Sequence, residues 1–249
     1  MNWYDNGHIA EIIKASSVDS AFCYIRPGVD WPYLAMYELR NIAFTQGDEF
    51  RTIRVHSDLL PGSKLVYDLA DNNFRYYGLK QVFDPTQRGP IHIKAVIDAQ
   101  IELKDDYSVA DFEKWYRDEH LNQMAKSAPG YLRTTRFKLV YARSNAQSRA
   151  LKGLPVTSDE PQPTPPTWLT LHEFDTEDID LEAIRKSTDS PWTRMIHAAY
   201  KITLFPIHQK VKTQHRRKTQ HRRVVLLDLI DDCSREKWVT SGVSDLDVI

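Results

Sequence analysis

Trp115-Tyr116-Arg117-Asp118-Glu119-His120-Leu121 repeats a pattern that opens the chain as Trp3-Tyr4-Asp5-Asn6-Gly7-His8-Ile9. A second pair follows in the same order: Tyr33-Leu34-Ala35-Met36-Tyr37-Glu38-Leu39 returns as Trp168-Leu169-Thr170-Leu171-His172-Glu173-Phe174. Two matches in one order point to a duplicated unit of about a hundred residues. They also pair His8 with His120.

The second copy is the easier to read. Ile93, Ala95, Ile97, Ala99, Ile101 and Leu103 alternate with His92, Lys94, Val96, Asp98, Gln100 and Glu102, the period of a strand. Ser108 offers an N-cap with Asp111 three residues on, and a helix over 109–126 stripes Phe112, Trp115, Tyr116, Glu119 and Gln123 along one side. Pro129-Gly130 ends it. Strands follow over 131–141 and 168–174, separated by a Ser- and Pro-rich stretch, 144–166, that reads as a long loop. A helix over 178–198, broken near Ser190-Pro191, and a strand over 200–207 complete a β-α-β-β-α-β order, the ferredoxin-like arrangement.

The first copy opens directly on its helix, so its first strand is missing. A sheet without that strand exposes unpaired backbone, which invites association through the open edge. Truncation is the favoured explanation, a filling segment from elsewhere the other. The sequence thus predicts an α+β protein of two tandem ferredoxin-like units, residues 1–90 and 91–208, followed by a poorly ordered tail, 209–249. Lys212-Thr213-Gln214-His215-Arg216-Arg217 is duplicated at once as Lys218 to Arg223. A solvated tail is the preferred reading of this repeat over a nucleic-acid patch.

Composition narrows the class. Hydrophobic residues make up 41% and charged residues 27%, with a net charge of −1, so no global field favours nucleic acid or an anionic membrane. No apolar run of about twenty residues offers a spanning helix, and no basic-then-apolar leader marks export. The expected location is therefore the cytosol, with Cys23 and Cys233 reduced.

Phe112-Glu113-Lys114-Trp115-Tyr116-Arg117-Asp118-Glu119-His120-Leu121, followed by Pro129-Gly130-Tyr131 and Arg133-Thr134-Thr135-Arg136-Phe137, resembles the EthD-type dimeric α/β-barrel family, in particular fungal members with two units in one chain. The resemblance covers about residues 2 to 208. It implies two sheets packed around a pocket, with a histidine as general acid/base. The chain departs from the family pattern where a proline follows the histidine: Ala10 and Asn122 stand there. Glu119 becomes Gly7 in the first copy, so a site needing both members is expected only in the second.

His120 and Glu119 are the candidate catalytic pair. An imidazole exchanges protons near neutrality, and a partly buried carboxylate beside it would tune or orient it, unless Glu119 simply pairs with Arg133 or Arg136. His8 reads as a degenerate copy, with Glu11 as an alternative carboxylate. If the alternating apolar face of 93–103, together with Leu169 and Leu171, meets the helices, the opposite face fills the space between the sheets. That places Tyr24, Tyr33, Tyr37, Asp98, Gln100, Thr134, Arg136, Trp168, Thr170 and His172 around a planar aromatic ligand, with His8, Tyr24, Tyr37, Asp98, Arg136, Trp168 and His172 as the binding set. His172 and Glu173, adjacent on a strand, point to opposite faces and cannot share a metal. No metal, haem or redox cofactor is expected. The favoured reading is a lyase-type enzyme on an aromatic or polyketide-like intermediate of specialised metabolism. The alternative is a non-catalytic, small-molecule-binding relative.

Overall fold

The structure is a computed structural model and describes residues 3–14, 18–29, 32–156, 159–215 and 224–231. The first helix enters through a π-turn, Tyr4–His8, and continues as α1, Ile9–Lys14. Strands β1 (Val18–Ile25) and β2 (Tyr33–Leu39) pair antiparallel, and a stretch containing α2 (Asp48–Thr52) leads to β3 (Asp71–Phe83). The second unit runs β4 (Ala95–Leu103), α3 (Val109–Trp115), a π-turn (Tyr116–His120), α4 (Leu121–Ser127) and β5 (Tyr131–Arg143). It continues with α5 (Asn145–Leu151), β6 (Trp168–Phe174), α6 (Leu181–Ser187), α7 (Pro191–Ala198) and β7 (Tyr200–Leu204). Two more strands follow, β8 (Ile207–His215) and β9 (Val224–Asp231).

The doubled βαββαβ body is present. Unit two has the strand order β7-β4-β6-β5, and unit one has β3-β9-β2-β1. The place expected to be empty is therefore filled, and truncation is not needed to explain the missing strand. β9 runs antiparallel to both neighbours, with Val224 opposite Leu39, Ile230 opposite Tyr33 and Asp231 opposite Asp71. Ala95 opposite Phe174 and Ile101 opposite Trp168 repeat that register in unit two, so β9 stands in unit one where β4 stands in unit two.

Residues 209–215 and 224–231, expected to belong to a poorly ordered tail, lie in the strands β8 and β9. The open edge that suggested homo-oligomerisation is closed by β9, so that reason for association is gone. Of the basic repeat, Lys212 to His215 lie in β8, while residues 216–223 and Cys233 lie outside the described residues. The two sheets also join. β8 pairs with β1 and β4, and β3 pairs with β5 and β9, giving a closed ring of strands. Among the described residues no helix is long and apolar enough to cross a membrane.

Local chemistry explains the helices. Ser108 Oγ accepts from the Asp111 N–H, Asp180 from Ala183 and Ser190 from Thr193, with Pro191 in the first turn of α7. Ser144 and Gln147 form a reciprocal capping box that starts α5 inside the segment expected to be loop. Gly130 turns the chain from α4 into β5 at φ +72°, where a Cβ would lie 2.7 Å from Thr176.

Residues directly opposite in antiparallel strands share a face, which settles the inside and outside of the barrel. Ile97, His172 and Thr134 form one row, and Ala99, Thr170 and Arg136 the next. Ile97 and Trp168 pack with helix residues, so this face looks outward under α3 and α4. Leu169, Leu171, Val96 and Phe137 pack inward with Phe22, Tyr24, Leu34 and Met36. The expectation had Leu169 and Leu171 on the wrong face. Trp168, Thr170, His172, Thr134 and Arg136 are not between the sheets but beneath the helices of unit two. Tyr37 likewise faces α1.

Because β9 is flanked on both sides, its backbone donors alternate between β2 and β3 and none is spare. Leu227→Pro removes a ladder hydrogen bond from the middle of the sheet and should lower the urea midpoint. An unchanged midpoint would show β9 to be dispensable.

Candidate active site

His120 and Trp115 are five positions apart, which on a regular α-helix separates them by about 140°. The π-turn changes this. The Leu121 N–H bonds to the Tyr116 carbonyl, one residue further back than in an α-helix, and brings position i+5 onto the face of position i. His120 therefore stacks on Trp115, with ring centroids 4.3 Å apart and planes 22° apart. The first copy does the same: a π-turn at Tyr4–His8 stacks His8 on Trp3 at 4.9 Å and 26°. Such turns recur at functional sites in proteins.

His120 is 9% exposed, and its Nδ1 is buried with no hydrogen-bond partner among the described residues. Its ring meets His172 edge-on at 5.7 Å. His172 Nδ1 bonds Thr134 Oγ1 at 2.7 Å, and Thr134 bonds the Tyr131 hydroxyl at 2.7 Å, which fixes that imidazole through a relay of hydroxyls. Both rings line a hollow of about 610 Å³ between the outer face of the sheet and α3, α4, α6 and α7. Trp115, Tyr116, Tyr200 and Phe205 give it aromatic walls, Met124 and Ile184 are among its apolar ones, and Arg185, Asp189, Arg194 and His197 add polar groups to its lining. That size and character suit a drug-sized planar molecule.

Arg136 lies under this site. Its guanidinium is 3.7 Å from the Tyr116 ring centroid and within cation–π range of Phe112 and Trp168. Nη1 donates to Gln81 Oε1 at 3.0 Å, while Nε and Nη2 have no partner among the described residues. Burial and the charge of Arg136 push the His172 pKa down to about 3. Burial above all, then His172, His197 and Arg136, holds His120 well below the ordinary histidine value. Both imidazoles are neutral at neutral pH.

Glu119 does not enter the hollow. Its carboxylate accepts from Ser190 Oγ and, at 3.4 Å, from Thr193 Oγ1, at the first turn of α7. Thr193 in turn accepts from Trp115 Nε1 at 3.1 Å. Glu119 thus braces α7 against the helix that carries Trp115 and His120, where the helix dipole favours a negative charge. Neither Arg133 nor Arg136 is its partner. Arg133 pairs with the buried Glu173, and Arg136 rests on aromatic rings.

The remaining candidates scatter. His172 joins His120 and Arg136 lies beneath it, while Trp168 is buried under Phe112, 5.5 Å away. Asp98 and Tyr24 face the barrel interior. His8 and Tyr37 line a hollow of only about 50 Å³ in unit one, closed by Phe44, Phe50, Ile53 and Tyr67 from the segment between β2 and β3. Tyr37 bonds the Tyr4 hydroxyl at 2.7 Å, and Glu11 pairs with Arg54 at 3.0 Å. Thr193, His197, Tyr200 and Phe205 escaped the sequence reading, because no periodicity reports which helix flanks which strand face. Among the described residues no three His, Cys, Asp or Glu side chains converge as a metal site.

No family model matches the chain. It is 26% identical over 179 residues to core atranone cluster (CAC) protein 1 of Stachybotrys chlorohalonatus (strain IBT 40285), covering 70% of this chain and 73% of that protein. The crystal structure of an anthrone oxidase-like protein aligns with a TM-score of 0.44 at 14% identity, covering 85% of this chain and 87% of that one.

A histidine held neutral in the fold but free to protonate when unfolded binds more protons in the unfolded state below pH 6.5. Its contribution to stability is whole above 6.5 and lost as pH falls. At pH 5 His172 alone should have lost about 2 kcal/mol. Asp98, raised from 3.8 to about 6, acts in the opposite sense between those values, as one group against His8, His120, His172 and His208. The melting temperature should therefore fall from pH 7 to pH 5. Nitrogen-15 spectra should show His120 and His172 neutral throughout; an inflection near 6.5 in either ring would mean it is solvated.

Proposed function

We propose that the unit-two hollow is the active site of a small enzyme of lyase or isomerase type, acting by proton transfer on a planar aromatic or polyketide-like molecule. The observation that carries this reading is His120: neutral, oriented by its stack on Trp115, with a buried Nδ1 that has no partner among the described residues, and lining a roomy aromatic cavity. A neutral imidazole can take a proton from carbon next to a carbonyl and return it to another carbon of the same molecule, an isomerisation, or deliver it to a departing hydroxyl so that water leaves, a dehydration. In a decarboxylation it would pass the substrate's carboxyl proton to the carbanion left as CO2 departs. The positive field of Arg136 favours the enolate or phenolate that forms meanwhile. Glu119 serves as a positioning residue: through Ser190, Thr193 and Trp115 it holds the imidazole's platform. This chemistry draws on side chains alone.

The resemblance to EthD-type fungal proteins agrees with this assignment, and the similarity to a protein named for the core atranone cluster supports a place in fungal specialised metabolism. The substrate remains to be found by comparing metabolites of a strain lacking the gene with its parent. Restoring the wild-type gene should restore the product. His120→Ala should lower turnover by about 100-fold or more while keeping the circular dichroism spectrum, and His8→Ala should restore the product fully. Equal restoration by His120→Ala would remove the mechanism. Thermal stabilisation by the accumulated metabolite, with no product formed, would instead favour a binding protein.

A further inference from the structure

A second cavity, of about 530 Å³, opens on the other face of the same sheet, at one end of the barrel interior. Asp98 from β4 and His208 from β8 sit in its wall at 0% and 2% exposure, with His208 Nε2 3.9 Å from Asp98 Oδ2. Gln100 Nε2 donates to Asp98 Oδ2 at 2.7 Å, and Arg75 Nη1 donates to Gln100 Oε1 at 2.6 Å. Arg75 Nε is held by Asn73 at 3.1 Å. Several groups are left over among the described residues: Asp98 Oδ1, both ring nitrogens of His208 and Nε of Arg26 have no hydrogen-bond partner. Buried polar atoms are seldom left so, and four around one hollow mark a place built for a polar guest.

The leftover groups describe that guest. Two arginines face it, and only one carboxyl, so the guest carries negative charge, and a guanidinium suits a carboxylate best. Asp98 and His208 supply acceptors for a hydroxyl. Leu204, Phe205 and Pro206 form an apolar ledge along one side, fitted to the flat face of a ring. We infer that the barrel interior holds a second small-molecule site, distinct from the His120 hollow, for an aromatic hydroxycarboxylate gripped by Arg26 and Arg75 and met by Asp98 and His208. Burial supports the pairing, since it lowers His208 to about 4 and leaves that imidazole a neutral donor and acceptor near neutrality, while it raises the Asp98 carboxyl to about 6, still an acceptor at pH 7. Phe205 also lines the helix-side hollow, so the two spaces are neighbours across one side chain. The inference stands whether or not His120 is catalytic.

Salicylate is a suitable probe, titrated calorimetrically into the full chain. One saturable site is expected, retained in His120→Ala and weakened by about tenfold or more in Arg75→Gln. Both arginines are half-buried, and Arg26→Gln provides the same test should Arg75→Gln fail to fold. The absence of saturable binding would overturn the inference. So would binding that is lost with His120→Ala yet untouched by Arg75→Gln, which would place the probe on the helix side.

Discussion

Backbone pairing at the position between β2 and β3 is the constraint on which the rest of the molecule rests. Two buried strands left facing each other across a missing one would carry unpaired N–H and C=O groups, each a cost of about 1–3 kcal/mol. β9 meets both rows at once. β3 then continues past β9 to pair with β5 from Phe74 to Phe83, carrying the ring from unit one into unit two. β8 makes the matching crossing from β4 to β1. The segment following the second unit is therefore what gives the first unit its complete sheet.

Closure has a chemical consequence: it gives every strand an inner and an outer face with different solvents. The inner face is apolar at its centre, with Phe22, Leu34, Met36 and Leu171 packed together, and turns polar toward the end where Asp98 and Arg75 lie. The outer face is covered by helices, and what space remains there depends on how closely they sit. In unit two the brace from Glu119 to Ser190 and Thr193 sets that spacing, and the π-turn decides which ring looks into it. Removing the extra residue of the π-turn would rotate His120 away from Trp115 while leaving every strand in place.

Much of this was legible in the residues. The duplication, the two hairpin halves and the helix that bears His120 follow from repeats, period-two alternation and caps such as Ser108. The face assignment did not, and the reason is physical. Trp168 to Phe174 is buried at all seven positions, so its apolar residues report burial without saying from which side. Leu169 and Leu171 look like natural companions of Ile97 and Ile101, yet strand register sets them opposite Gln100 and Asp98. That difference of one position moved Trp168, Thr170, His172, Thr134, Arg136 and Tyr37 to the helix side, while Asp98, Gln100 and Tyr24 face the interior as expected. The π-turn was equally invisible, since Trp115 and His120 fall on different stripes of any regular helix. Val224 to Ile230 reads locally as a short strand or helix, but its place between β2 and β3 was hidden, because pairing across nearly two hundred residues of chain leaves no local mark of the partner.

The two copies also show how one scaffold can divide its labour. Register places Tyr37, Ala21, Ala35 and Cys23 of unit one where unit two has His172, Thr134, Thr170 and Arg136. The backbone, the π-turn and the Trp–His stack are shared, while the polar groups beneath them are not. Unit one adds Phe44, Phe50, Ile53 and Tyr67 over its own histidine, and its hollow shrinks to less than a tenth of its twin's. Filling that space with apolar side chains stabilises the fold by about 1.5–3 kcal/mol for each large residue buried. A hollow kept open in unit two forgoes that gain and also buries an arginine and two histidines against their charged forms. The filled copy offsets what the open copy gives up, and because β9 and β8 tie both into one ring, the stability of one half supports the open hollow of the other.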